Sequence, residues 1–388
     1  MRLRRTALTI FLAGLCAVTL AGLAARAHRR GAAFVVIAAG MDGPVRRVAE
    51  WHTTTVTPMR GGPIPWRGGT PLRTRGYQPY RAQGRGILLV PGVHASGIDE
   101  PRLIGFAQHL AALGHPVLTV ELPDLMRYEI TARTTDMIED AAAWMMRRAE
   151  YRGRDGRIGL LGISFGGGLS IVAAGRPSIR NGVAFVMALG GHADLPRTLQ
   201  YLCTGVQPDG ATRPPHDYGL AIVLLAAADR VVPASQVAPL QAAIRSFLEA
   251  SRLDMIDKTK AAEEFERAKT LALTLDEPSR TYMGYVNARD VGRLGPVLLP
   301  HMAALGGNPA LSPARSPLPP APLFLLHGSD DNVVPAIEST LLAQHAASAG
   351  ARARALLTPL ITHAEVDRGS TMVAMWRLVD FWTAVLNE

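Results

Sequence analysis

Three residues of this 388-residue chain stand where they could act together: Ser164, Asp331 and His363. Ser164 lies in Gly162-Ile163-Ser164-Phe165-Gly166, between the apolar run IGLLG and a run of small apolar residues, LSIVAA. A serine set in a sharp strand-to-helix turn takes a strained backbone conformation, so the neighbours two residues away on either side must lack bulky side chains. Its hydroxyl then projects above the sheet edge, at the positive end of the following helix. Such a hydroxyl is a weak nucleophile at neutral pH and needs a base, which in turn needs an orienting acid. With 11 histidines in the chain, composition selects no base, but position does. His363 follows the last apolar run, in TPLITHAEVD, and Asp331 follows the preceding one, in FLLHGSDDNVVP. Loops at the carboxyl ends of parallel strands would carry both over Ser164. That constellation points to attack on an acyl carbonyl.

Positioning these residues requires a sheet. Short runs that are apolar on nearly every residue recur as GILLV (86–90), PVLTVEL (116–122), RIGLLG (157–162), VAFVMAL (183–189), LFLLH (323–327) and ALLTP (355–359). They alternate with helical patterns, one opening after Asp99-Glu100-Pro101 and closing at Gly114, another opening at Asp136, and a last one around MVAMWRLVDFW. Strands buried on both faces and alternating with helices predict a mostly parallel central sheet with helices on both sides. TTTVT (53–57) and TPLRTRGY (70–77) are expected to add antiparallel edge strands. The rhythm breaks between 196 and 320, which reads as a helical lid inserted between two core strands and closed by the stiff, proline-rich ALSPARSPLPPAP. The expected organisation is therefore an N-terminal segment (1–31), an extension with edge strands (32–85), a core half (86–195), the insertion (196–320) and a second core half (321–388).

With these motifs in place, the chain resembles the α/β-hydrolase fold superfamily, in its dienelactone-hydrolase-like and serine esterase branches. LLVPGVHASG is similar to the strand and oxyanion loop, VELPDLMRY to the next strand and its turn, GISFGG to the nucleophile elbow and HGSDDNVVP to the acid motif. The last match selects Asp331 over Asp330 as the acid. Pro91 stands where a histidine usually precedes Gly92, and Ser164 stands where many dienelactone hydrolases carry cysteine. The resemblance implies an esterase mechanism in which the backbone N–H groups of Phe165 and Val93 receive the oxyanion. It implies a small-molecule ester or acyl substrate and no cofactor. Acyl transfer, peptide cleavage or a non-catalytic binding role on the same fold remain open alternatives. LLAAADRVVP (224–233) echoes the acid motif, so Asp229 with His327 forms a second candidate pair. Otherwise His327 packs the acid loop, and His94 either contacts substrate or braces its own loop.

The net charge of +9 is unevenly placed. Residues 1–85 hold 14 arginines against Asp42 and Glu50, giving +12, so the remaining 303 residues sum to −3. A near-neutral body argues against nucleic acid, and a basic arm beside an apolar segment suits lipid headgroups. That segment, residues 7–25, has no charge, follows Arg2, Arg4 and Arg5, and as a helix would rise about 28 Å, enough to cross a bilayer. The expectation is a single-pass anchor, with a signal peptide cleaved after Ala27 as the alternative. Because all the candidate residues lie beyond 90, a chain starting near Trp51 is expected to fold and to act. Cys16 follows Leu15 rather than the small residue of a lipidation site. Cys203, the only other cysteine, leaves the body without an internal disulfide, and no CxxC or HExxH spacing suggests a metal.

Overall fold

The apolar runs pair into one eight-stranded sheet made of β1 (Val56–Arg60), β2 (Thr74–Pro79), β3 (Ile87–Val90), β4 (Val117–Val120), β5 (Ile158–Ile163), β6 (Val183–Leu189), β7 (Leu323–Gly328) and β8 (Ala353–Thr358). The computed structural model describes residues 26–254, 256–361 and 372–388. Strand order is β1-β2-β4-β3-β5-β6-β7-β8; β2 runs antiparallel to β1 and β4, and every other pair is parallel. These two antiparallel strands lie a few residues later than TTTVT and TPLRTRGY suggested, and of the two only β1 is an edge, since β2 pairs on both sides. Register decides their place rather than local β-propensity: β2 pairs with the buried β4, Thr74 opposite Val120 and Tyr77 opposite Val117, and β1 pairs with β2.

In chain order the helices among the described residues are α1 (26–38), α2 (Pro44–Glu50), α3 (Pro101–Ala112), α4 (Pro123–Met126), α5 (Ala132–Met146), α6 (Phe165–Ala174), α7 (Leu195–Thr204), α8 (Asp217–Val231), α9 (Ala234–Asp254), α10 (Lys258–Leu273), α11 (Ser279–Ala288), α12 (Val291–Leu298), α13 (Met302–Gly306), α14 (Ile337–Ser348) and α15 (Met372–Asn387). Successive strand residues point to opposite faces, and the core divides accordingly. Leu88 and Val90 of β3 pack with Met137 of α5, Leu169 of α6 and Leu342 of α14, whereas Ile87 and Leu89 pack with Phe34 of α1, Leu103 of α3 and Trp382 of α15. This double burial explains why the central strands carry no polar alternation.

Between β6 and β7 the chain forms α7 to α13, whose buried residues, among them Leu202, Leu224, Phe247 and Leu294, continue the core on the α6 side. The echo of the acid motif falls here in a helix. Residues 224–231 belong to α8, where Leu224, Leu225, Ala227 and Ala228 are buried and the Asp229 side chain is exposed. Asp229 therefore lies on no strand end, and the alternative pair with His327 is excluded.

The N-terminal expectation needs correction. Helix α1 is an integral layer of the body, not an appendage to it. Ala33, Phe34, Val35 and Ile37 are buried, and the Phe34 ring lies 4.0 Å from that of Trp382. A Cβ on Gly31 would fall 2.2 Å from Thr383 Oγ1 and 2.5 Å from the Val379 carbonyl, so only glycine lets α1 and α15 approach this closely. Arg30 donates to the Leu113 carbonyl (2.8 Å) and to His115 Nε2 (2.9 Å). Burial holds the His115 imidazole down at about 4, so it is neutral, with Nδ1 donating to the Arg85 carbonyl and Nε2 accepting from Arg30. A chain starting near Trp51 would lack this layer and expose Trp382 and Phe106. As a milder test, Phe34→Ala is predicted to cost about 3–5 kcal/mol of stability, read from the urea midpoint.

The arginines of the N-terminal third are also more engaged than a free basic arm would be. Arg67 binds Asp140 (2.6 Å) and Glu139 (2.8 Å), Arg73 binds Glu121 and Asp99, Arg75 binds Asp99, and Arg85 binds Asp155 (2.7 Å). Local charge counting misses such pairs because the partners lie tens of residues away. Among the described residues no helix is long and apolar enough to cross a membrane. The uncharged run 7–25 lies outside the described residues.

Candidate active site

Strand β5 delivers Ser164 to the carboxyl edge of the sheet. Its backbone sits at φ 53°, ψ −133°, a region that L-residues avoid and that costs roughly 1–3 kcal/mol to hold. The surrounding glycines explain how the turn is tolerated. A Cβ on Gly162 would meet the Gly166 carbonyl at 2.4 Å, one on Gly166 would meet the Pro91 carbonyl at 2.2 Å, and one on Gly168 would strike the His192 ring at 2.4 Å. The Ser164 N–H donates to the Leu189 carbonyl at 2.7 Å, tying the turn to β6. Phe165 opens α6, so its N–H has no acceptor within the helix itself.

The loop after β3 closes on this elbow from above. A Cβ on Gly92 would lie 3.1 Å from Ser164 Cβ, so the backbone of Gly92 and the half-buried Val93 runs directly past the serine. His94 braces the same loop by accepting the Ser96 N–H at Nδ1 (3.2 Å), and burial lowers its basicity.

Two strands away, β7 carries the acid loop. Asp331 is buried, and its Oδ1 accepts from the Val333 and Val334 N–H groups at 2.8 and 2.9 Å. Asp330 turns outward instead, 75 % exposed and paired with Arg213. His327 is buried beneath the loop, with Nδ1 2.7 Å from Ser339 Oγ and Nε2 2.9 Å from the Val334 carbonyl and 3.3 Å from Asp331 Oδ2. It is a brace of the acid loop. Strand β8 pairs beside it, with Gly328 opposite Thr358 and the Ser329 N–H on the Thr358 carbonyl at 2.9 Å. His363 follows this point in the chain and lies outside the described residues.

The insertion and the turn after α4 supply residues that spacing did not reveal. Tyr218, in the first turn of α8, stands near enough to Asp331 and Tyr128 for their charges to act on its phenol, which burial pushes well above its usual range. Tyr128 has a positive φ of 63°, and its phenol, pushed up to about 12 by burial, lies within hydrogen-bonding reach of the Ala95 N–H in the loop after β3. The Glu249–Arg252 pair at the end of α9 acts on both His94 and Tyr128. The His216 N–H donates to the Asn332 carbonyl at 2.8 Å, joining α8 to the acid loop. Thus α8 and α9 roof the edge at which Ser164 and Asp331 stand. Among the described residues no group of three or more His, Cys, Asp or Glu side chains could hold a metal ion.

A parallel sheet in this order, an antiparallel β2 and a strained serine between β5 and α6 decide the architecture. The fold is the α/β-hydrolase fold. No protein family and no curated protein matches the chain by sequence. Among solved structures, the chain is similar to a hyperthermophilic esterase from the archaeon Pyrobaculum calidifontis at 15% identity, over 94% of this chain and 93% of that one, with a TM-score of 0.45. A thermostable carboxylesterase cloned from a metagenomic library is 17% identical over 91% and 92% of the two chains, with a TM-score of 0.44. A putative dienelactone hydrolase from Klebsiella pneumoniae is 13% identical over 84% and 98%, with a TM-score of 0.41. A further cavity of about 510 Å³ lies between α7 and α13, lined by Arg197, Arg315 and Met302, and includes none of the residues above.

Proposed function

We propose that the protein is a serine hydrolase that cleaves carboxylic esters through Ser164, His363 and Asp331. The observation that carries this reading is the Ser164 backbone at φ 53°, held by glycines and set on the same sheet edge as a buried carboxylate. A strained turn of this kind is retained where a side chain must be presented, since a structural turn could relax into a cheaper conformation.

In the proposed mechanism His363 accepts the hydroxyl proton while Ser164 Oγ bonds to the ester carbonyl carbon. The backbone N–H groups of Phe165 and Val93 receive the charge developing on the carbonyl oxygen. Collapse breaks the carbon–oxygen bond of the leaving alcohol, which takes the proton from His363. Water then repeats the sequence on the acyl-enzyme, giving the acid and restoring Ser164. Asp331 keeps the imidazole in the tautomer that can accept. Two backbone amides on its Oδ1 fix the plane of the carboxylate. The body is anchored by residues 7–25, and α7 to α13 form the lid that shapes the acyl pocket.

A fluorophosphonate probe tests the nucleophile directly. The wild-type chain should be labelled covalently and Ser164→Ala should not. Equal labelling of both would remove Ser164 from the reaction.

A further inference from the structure

We propose that the first turns of α15, with the start of α1 beside them, form a docking face for an anionic lipid surface on the catalytic edge of the sheet. The proposal rests on the reading of residues 7–25 as a membrane anchor and adds which side of the body meets the bilayer.

Helix α15 runs antiparallel to the parallel strands. Glu388, just past its end, offers a carbonyl to Arg85, just ahead of β3, and Arg30 reaches both Leu386 and Leu113 near the amino ends of the strands. Its first turns therefore lie at the carboxyl edge, where Ser164 and Asp331 stand. Leu378, Phe381, Trp382 and Val385 of this helix are buried, yet Met372, Val373 and Trp376 are 90, 61 and 54 % exposed. A large apolar group of this kind at a helix end, with an indole among cations, suits the headgroup region of a bilayer.

The charge around the patch points the same way. Arg26, Arg29 and Arg377 are exposed beside it. The only acid within α1 and α15 is Asp380, and it is already engaged by His28 at 3.0 Å and by Arg354 at 2.5 Å. Counted over α1 and α15, this face is cationic and apolar together, which favours an anionic lipid surface over a neutral protein face. Its place relative to the rest of the chain supplies the occupant. The described chain begins at Arg26, and His28, two residues on, lies against the Trp376 ring with centroids 4.9 Å apart. The start of α1, to which residues 1–25 are joined in the chain, therefore stands beside this patch. The close Gly31 contact with α15 holds α1 and α15 together as one face.

The test uses the full chain in phosphatidylcholine/phosphatidylglycerol vesicles, with lipids brominated near the headgroup as quenchers of tryptophan fluorescence, and vesicle flotation in parallel. The chain has five tryptophans, and the rival exposed one is Trp51, which follows α2 near the end of α3, at the opposite edge. Quenching should be largely lost in Trp376→Phe and kept in Trp51→Phe. Val373→Asp, at an exposed position, should weaken quenching of Trp376 while leaving flotation intact. Flotation with quenching unchanged in Trp376→Phe, or lost in Trp51→Phe instead, would overturn the docking face and leave the anchor standing. Failure of the wild-type chain to float would overturn the anchor and the docking face together.

Discussion

Ser164→Ala is expected to lower ester turnover by roughly 10⁴ to 10⁶, because loss of a nucleophile that acts as one unit with its base removes the covalent route altogether. The fold should survive. The substitution deletes one hydroxyl at the sheet edge, and the hydrogen bond holding the turn to β6 is donated by the Ser164 backbone, not its side chain. The strain at φ 53° would remain, since alanine has the same Cβ. Steady-state hydrolysis of a short-chain aryl ester, beside a urea melt, separates the two effects. Turnover within tenfold of wild type in protein free of other esterases would mean that the elbow is structural.

Asp331→Asn is the second large effect, expected at roughly 10⁴ in turnover through the wrong imidazole tautomer. The amide oxygen can still accept from the Val333 and Val334 N–H groups, so the loop should keep its path. The amide nitrogen, however, would face His327 Nε2, which already donates to the Val334 carbonyl. Two donors at that contact should cost about 1 kcal/mol of stability, a small loss beside the catalytic one. Asp330→Asn, on the exposed side of the loop, and Asp229→Asn, on α8, should leave turnover unchanged. A loss in either of those matching that of Asp331→Asn would overturn the assignment of the acid.

Much of the core could be read from the chain because its signals are local. ILLV, IGLLGI and VAFVMAL are apolar on every residue since both faces of the sheet are covered, and Gly162 and Gly166 answer to contacts within a few residues or to the neighbouring β3 loop. What escaped was non-local. AAFVVIAAG (32–40) is too short to cross a bilayer alone, and only its packing on α15, some 350 residues later, gives it a place in the body. LLAAAD carries the composition of a strand end, but its leucines and alanines pack within α8, where burial on several sides removes the helical stripe that would have identified it. Tyr128 and Tyr218 reach the site through a positive φ and the placement of an insertion, neither of which leaves a spacing in the sequence.

The packing of α1 on α15 has a consequence for synthesis. Arg30 and Leu386 are 356 residues apart, so at about 5–20 residues per second the N-terminal helix leaves the ribosome roughly 20–70 s before its partner exists. Throughout that interval Phe34 has no indole to pack on, and the face of the sheet beneath it is open. The earliest segment of the body is thus among the last to find its place, and trimming the final helix would strand the first one as surely as deleting it.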